Sequence, residues 1–230
     1  MLFLKSTTPE IISLHIPKTA GTSFRNILKD VYGEQQVVRF DINEKGVVKL
    51  NEKLFDHKEL PSAKVIHGHF SFDALYNMFQ LPENLKLITW MRDPVKRVIS
   101  NFYYLESRLK ELLEEEKNDL NILSKMQRTL LEYAHAEVNR NRQSKFLSGS
   151  QLTDFNFIGI TEYFEDELKR LAGILNWDHL PELLIHNKTG VGAGELSKNI
   201  VDEIRQLNME DEELYNEALQ IRNSFIASGH

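Results

Sequence analysis

Short apolar runs punctuate the first half of the chain, separated by stretches in which apolar residues recur every three to four positions. The runs Ile11–Ile16, Val37–Phe40, Lys64–His67 and Leu85–Met91 read as strands, and Phe155–Ile160 as a further one. A strand with one wet face would alternate apolar and polar residues. Near-continuous runs instead fit strands buried on both faces. With helical patterns between them, they predict an α/β chain whose parallel sheet is covered on both faces by helices.

The helix signals agree. Asp93 followed by Pro94 is an N-cap followed by a residue suited to the first helical position, and the helix continues through VKRVISNFYYLESRL. From about Arg108 to Arg142 the chain is highly charged and reads as a helical segment placed to shape a substrate site. Its EEEK run reads as a solvated face. Asp166–Leu175 and Val201–Phe225 read as amphipathic helices. No internal repeat or low-complexity linker interrupts the pattern, so residues 1–230 are expected to form one domain.

Composition narrows the classes. The chain has 28 basic and 34 acidic residues, a formal charge of −6, which argues against a general nucleic-acid binder. It leaves room for one small basic pocket. With no cysteine, disulfides and thiolate–zinc sites are excluded. No apolar run approaches the roughly 18 residues that span a bilayer, and MLFLKSTTPE lacks the basic-then-apolar layout of a secretory signal. The expected location is the cytoplasm, with no membrane insertion.

The candidate chemistry begins at PKTAGTS, between the first strand and a helix. A helix starting just after a strand offers unpaired N–H groups and a positive dipole end to an anion. Gly21 is expected to allow close backbone approach and positive φ. Thr19, Thr22 and Ser23 are expected to supply hydroxyl donors, and Lys18 a flexible charge. The bland alternative is a capped, Gly-containing turn. Lys18 precedes the glycine, whereas the ATPase loop GxxxxGK[ST] has lysine after it, so nucleoside triphosphate hydrolysis is disfavoured.

The second block is RDPVKRVIS. Arg92 lies at the carboxyl end of a predicted strand, the edge where open parallel sheets bind ligands. Ser100, about two turns into the next helix, is placed to share a phosphate with the Arg92 guanidinium. Arg97 is expected to pair with an acidic neighbour. Phe102, Tyr103 and Tyr104 are expected in the core.

The third block is VIHGHFSF. If the strand continues, His67 and His69 share a face. Such a pair suits zinc, a structural pair, or a general base, and no third metal ligand is evident. His15 is expected to pack beside the loop.

PKTAGTS and RDPVKRVIS, in this order, resemble the sulfotransferases that use 3′-phosphoadenosine 5′-phosphosulfate (PAPS). The likeness is nearest to heparan sulfate 2-O-sulfotransferases and bacterial carbohydrate sulfotransferases. NRNRQSKFLSG, FIGITEYFEDELKRL and HNKTGVGAGELS extend it from about residue 11 to about residue 200. The resemblance implies a three-layer α/β/α fold related to nucleotide kinases, and metal-independent sulfuryl transfer that leaves adenosine 3′,5′-bisphosphate (PAP). It implies Lys18, Thr19, Gly21, Thr22 and Ser23 at the 5′-phosphosulfate, and Arg92 and Ser100 at the 3′-phosphate. It places Lys188 in a loop over that phosphate. The HGH segment of the heparan sulfate branch carries a catalytic histidine. By that likeness His67 is the favoured base and His69 a helper or substrate contact, and the acceptor is a carbohydrate hydroxyl. A hydroxyl on a small molecule or carrier-bound acyl chain is the alternative. A kinase with a degenerate loop, or a non-catalytic nucleotide-binding module, would be the rivals from other classes.

Overall fold

The computed structural model describes residues 8–115, 128–180 and 196–228. Five strands form the parallel part of the sheet: β1 Ile11–Leu14, β2 Val37–Ile42, β5 Val65–Gly68, β6 Lys86–Met91 and β7 Phe157–Ile160. They match the five expected runs within about two residues at each end. All four residues of β1, β5 and β7 are buried, as near-continuous apolar strands require.

Two short strands were not anticipated. Strands β3 (Val48–Leu50) and β4 (Lys53–Leu54) extend the sheet beyond β2 in antiparallel fashion. They are joined by Asn51 and Glu52, both with positive φ (48° and 70°), as a two-residue hairpin turn demands. The turn lacks the usual glycine, and that hid it in the sequence.

The strand order is β4-β3-β2-β5-β1-β6-β7. Strand β1 sits between β5 and β6. The chain leaves β1 towards β2 on one side and leaves β6 towards β7 on the other. The carboxyl edge between β1 and β6 is therefore the topological switch point, where a crevice opens in sheets of this kind.

Helices line both faces. Helix α1 (Gly21–Tyr32) and a later helix, α6 (Phe164–Leu175), contribute Phe24, Ile27, Leu28, Leu168 and Leu171 to one core, with Ile11, Val65, Ile88 and Trp90 of the sheet. The alternate strand residues Ile12, Ile66 and Met91 face the other core. There they meet Leu75 of α2 (Phe72–Met78) and Tyr215 and Ala218 of α8 (Met209–Ala227). Helix α3 (Pro94–Glu115) is capped as expected, with Lys96 N donating to Asp93 Oδ1 at 2.8 Å. Its Val95, Val98 and Ile99 pack on Tyr133, Ala134 and Ile204 in a third cluster.

Two expected helices are broken. After residue 128 the charged segment is a pair of short helices, α4 (Leu130–His135) and α5 (Arg142–Phe146), with a 3-10 turn at Glu137–Asn139 between them. The Val201–Phe225 pattern is split into α7 (Lys198–Gln206) and α8 at Asn208. Asn208 is fully buried. Its Nδ2 donates to Ile204 O, and its Oδ1 accepts from Asn141 N, which ties the break to the start of α5.

Candidate active site

The three motifs converge because each follows a neighbouring strand: residue 15 follows β1, residue 69 follows β5 and residue 92 follows β6. The PKTAGTS loop turns through two left-handed residues, Lys18 (φ 73°) and Ala20 (φ 64°). Gly21 does not carry the positive φ expected of it, because the bend is made before it. Its need for glycine is space: a Cβ there would lie 1.8 Å from His15 Nε2. Ala20 offers no side-chain cap to α1, and the first turn holds no acidic residue. That start is compatible with an external anion as cap.

The hydroxyls divide. Thr19 is fully buried and donates to Ile16 O at 2.8 Å, so its single proton holds the loop together and is not available to a ligand. Thr22 is exposed, and Ser23 is buried. Lys18 is half-buried with Nζ 4.0 Å from the centroid of the Tyr104 ring. Tyr104 is thus an exposed partner of the lysine, not a core residue as expected, whereas Phe102 and Tyr103 pack against the third cluster.

Arg92 reaches back to the same loop, donating from Nη1 to Lys18 O at 3.1 Å. Burial, with Arg92 close by, pulls the Lys18 ammonium below its ordinary pKa, and burial also lowers Arg92 against the opposing charges of Glu162 and Asp93. Two cations held partly out of water and close enough to disfavour each other suit a polyanionic ligand. Ser100 is buried on α3. Arg97 is 1% exposed and faces the fully buried Asp211, with Nε 3.8 Å from Oδ2. Its Nε has no hydrogen-bond partner among the described residues, so charge pairing is the main link between them, while Nη2 donates to Asn139 O. Lys188 and the HNKTGVG loop lie outside the described residues.

The histidines form a stack. The His15 ring lies between His67 (centroids 5.0 Å apart) and His69 (4.3 Å). His67 is 3% exposed, its Nδ1 lies 2.9 Å from Ser13 Oγ, and a backbone hydrogen bond to Gly21 also engages the ring. Burial, then the neighbouring His69, lowers its pKa to about 3. His69 is half-buried, with Nδ1 2.8 Å from His15 O. A carbonyl only accepts, so Nδ1 carries the proton and neutral His69 keeps Nε2 as a lone-pair acceptor. Its backbone N–H is fixed by Asp41 Oδ1 at 2.9 Å. Burial lowers the His69 pKa, opposed by the His15 carbonyl and Asp41.

Among the described residues no group of three or more His, Asp or Glu could hold a metal ion, and no helix is long and apolar enough to cross a membrane. Two cavities, about 590 Å³ between α6 and α8 and about 250 Å³ beside α3, are lined by none of these site residues.

A model described as the sulfotransferase family matches residues 2–216. The chain belongs to the sulfotransferase family. Heparan sulfate 2-O-sulfotransferase 1 of Homo sapiens and of Xenopus laevis are each 31% identical to it over 103 residues. That match covers 41% of this chain and 29% of each relative, so the chain spans under a third of those relatives. Its fold is that of solved sulfotransferases. A sulfotransferase from Alicyclobacillus acidocaldarius matches with TM-score 0.50 at 12% identity, covering 92% of this chain and 96% of that one. Mouse sulfotransferase SULT7A1 complexed with PAP matches with TM-score 0.52 at 13% identity, covering 97% and 92%.

Gln143, Asp41 and Glu162 were not singled out in the sequence. Each acts through backbone groups of a motif residue: Gln143 on Arg92, Asp41 on His69, and Glu162 on Asp93 N at 3.2 Å. Pairing of β2 with β5 brings Asp41 there, the turn after β7 brings Glu162 and the packing of α5 brings Gln143, and no local spacing signals any of them.

Proposed function

We propose that this sulfotransferase-family chain moves a sulfuryl group from PAPS to an acceptor hydroxyl, and that His69 is the base. The observation that carries the reading is the meeting of the Lys18 loop and Arg92 at the β1/β6 crevice, with half-buried His69 on the adjacent strand end. Lys18, the N-terminus of α1 and the exposed Thr22 hydroxyl fit a 5′-phosphosulfate. Arg92 and Ser100 fit the 3′-phosphate.

The acceptor oxygen would form a bond to sulfur while the bond from sulfur to the 5′-phosphate oxygen breaks. The hydroxyl proton passes to His69 Nε2, and PAP leaves with the bonding electron pair. Lys18 offsets the charge gathering on the departing oxygen. Positioning and fixed electrostatics carry most of the rate in such a scheme.

The base is assigned to His69 and not His67, reversing the expected order. His67 is covered by α1, and its ring is already engaged by Ser13 and the Gly21 backbone. A carbohydrate acceptor is supported by the relatives named heparan sulfate 2-O-sulfotransferase.

Transfer of labelled sulfuryl from PAPS to a panel of saccharides, small alcohols and carrier-bound hydroxy acids tests reaction and acceptor together. His69→Asn should lower turnover by about 10²–10⁴-fold with PAP affinity kept. Turnover near that of the parent would remove His69 from the role. Transfer that required ATP and magnesium would favour a kinase.

A further inference from the structure

Strand β6 ends at Met91, and the next residue carries the guanidinium. Arg92 still needs partners for its backbone N–H and C=O, and one side chain supplies both. Arg92 N donates to Gln143 Oε1 at 2.9 Å, and Gln143 Nε2 donates to Arg92 O at 2.9 Å. The carboxamide thus stands in for one residue of a neighbouring strand. Among the twenty side chains only Gln and Asn offer a donor and an acceptor in this paired geometry.

Gln143 is itself fixed. It is fully buried, and its backbone N–H donates to Asp211 Oδ2 at 3.1 Å. Asp211 Oδ1 accepts from Ser144 N at 2.8 Å, and Oδ2 faces Arg97. At its other end, the Arg92 guanidinium is held on Lys18 O. Arg92 is therefore clamped twice, by the Lys18 loop at its tip and by α5 at its root.

We infer that Gln143 is a positioning residue for the donor: it aims the Arg92 guanidinium, and so sets how strongly the 3′-phosphate is held, without touching the ligand. This rests on the donor-site reading above. An arginine pivoting about an untethered backbone would lose the fixed bidentate geometry that makes its phosphate contact strong.

The test compares PAP with adenosine 5′-monophosphate, which lacks the 3′-phosphate, by calorimetric titration. The ratio of the two affinities is insensitive to the fraction of protein folded. Gln143→Met keeps volume and removes both hydrogen bonds. It should lower the ratio by roughly tenfold, the worth of about one good contact. Added to Arg92→Ala it should lower the ratio no further, because its only route to the phosphate is then gone. If Gln143→Met does not fold, Gln143→Asn, one methylene short, is read in the same way.

An unchanged ratio in the Gln143 variant, with Arg92→Ala lowering it, would overturn the positioning role and leave the donor site standing. A ratio unchanged by Arg92→Ala would instead overturn the donor-site reading.

Discussion

Acid should destabilise this protein through its histidine stack. The perturbation is a fall from pH 7 to pH 5. In the unfolded chain His67 takes up a proton near the ordinary imidazole value of 6.5, whereas in the folded chain burial holds its pKa at about 3. Between those values the unfolded state binds the extra proton, so stability is whole above about pH 7 and is lost as pH falls from 6.5 towards 3. The limiting slope is about 1.4 kcal/mol per pH unit for one histidine, which integrates to about 2 kcal/mol between pH 7 and pH 5. His15 and His69 are lowered as well, chiefly by burial, and add losses of the same sign. The assay is urea unfolding followed by circular dichroism at intervals across that range, on the parent and on His67→Gln. The parent should lose about 2 kcal/mol more than the variant. Parallel pH profiles would refute the reasoning, because His67 would then titrate alike in both states.

Two substitutions probe the frame of the site. Gly21→Ala drives a Cβ to within 1.8 Å of His15 Nε2 and should cost about 1–3 kcal/mol by urea unfolding, much of it regained when His15→Ala is added; wild-type stability in the single variant would show that the ring or helix yields freely. Asp211→Ala leaves the Arg97 charge and the amides of Gln143 and Ser144 without their acceptor, and a loss of about 3–5 kcal/mol is expected in the same assay, a loss under 1 kcal/mol counting against the clamp.

Much of this architecture was legible because buried parallel strands write themselves as apolar runs, and the start of α3 as Asp-Pro. What stayed hidden was long-range or one-off. The β3–β4 turn uses Asn51-Glu52 in place of a glycine-bearing pair. The break at Asn208 has no proline or glycine, and comes from a buried amide bonded to residues on two sides. Gln143 lies 51 positions from the backbone it completes. The order of His67 and His69 depends on which ring α1 covers. Both occur in one HGH segment, so spacing treats them alike, and only the packing of Gly21 over His15 and His67 separates the buried imidazole from the open one.

The sheet also separates the two kinds of chemistry. Strand β1 carries the Lys18 loop and pairs with β6 on one side and β5 on the other. Arg92 leaves β6, while His67 and His69 lie on and just past β5. Arg92 therefore stands on one flank of β1 and His67 and His69 on the other, with His15 and the Lys18 loop at the end of β1 itself. Burial holds His69 towards its neutral form, and the positive charges of Arg39 and Arg142 add to that, against the His15 carbonyl and Asp41. The lysine loop thus lies between the strand end that carries Arg92 and the strand end that carries His69. The in-line transfer proposed above needs a donor grip and a base on opposite sides of the group that moves, and the strand order β5-β1-β6 supports that division.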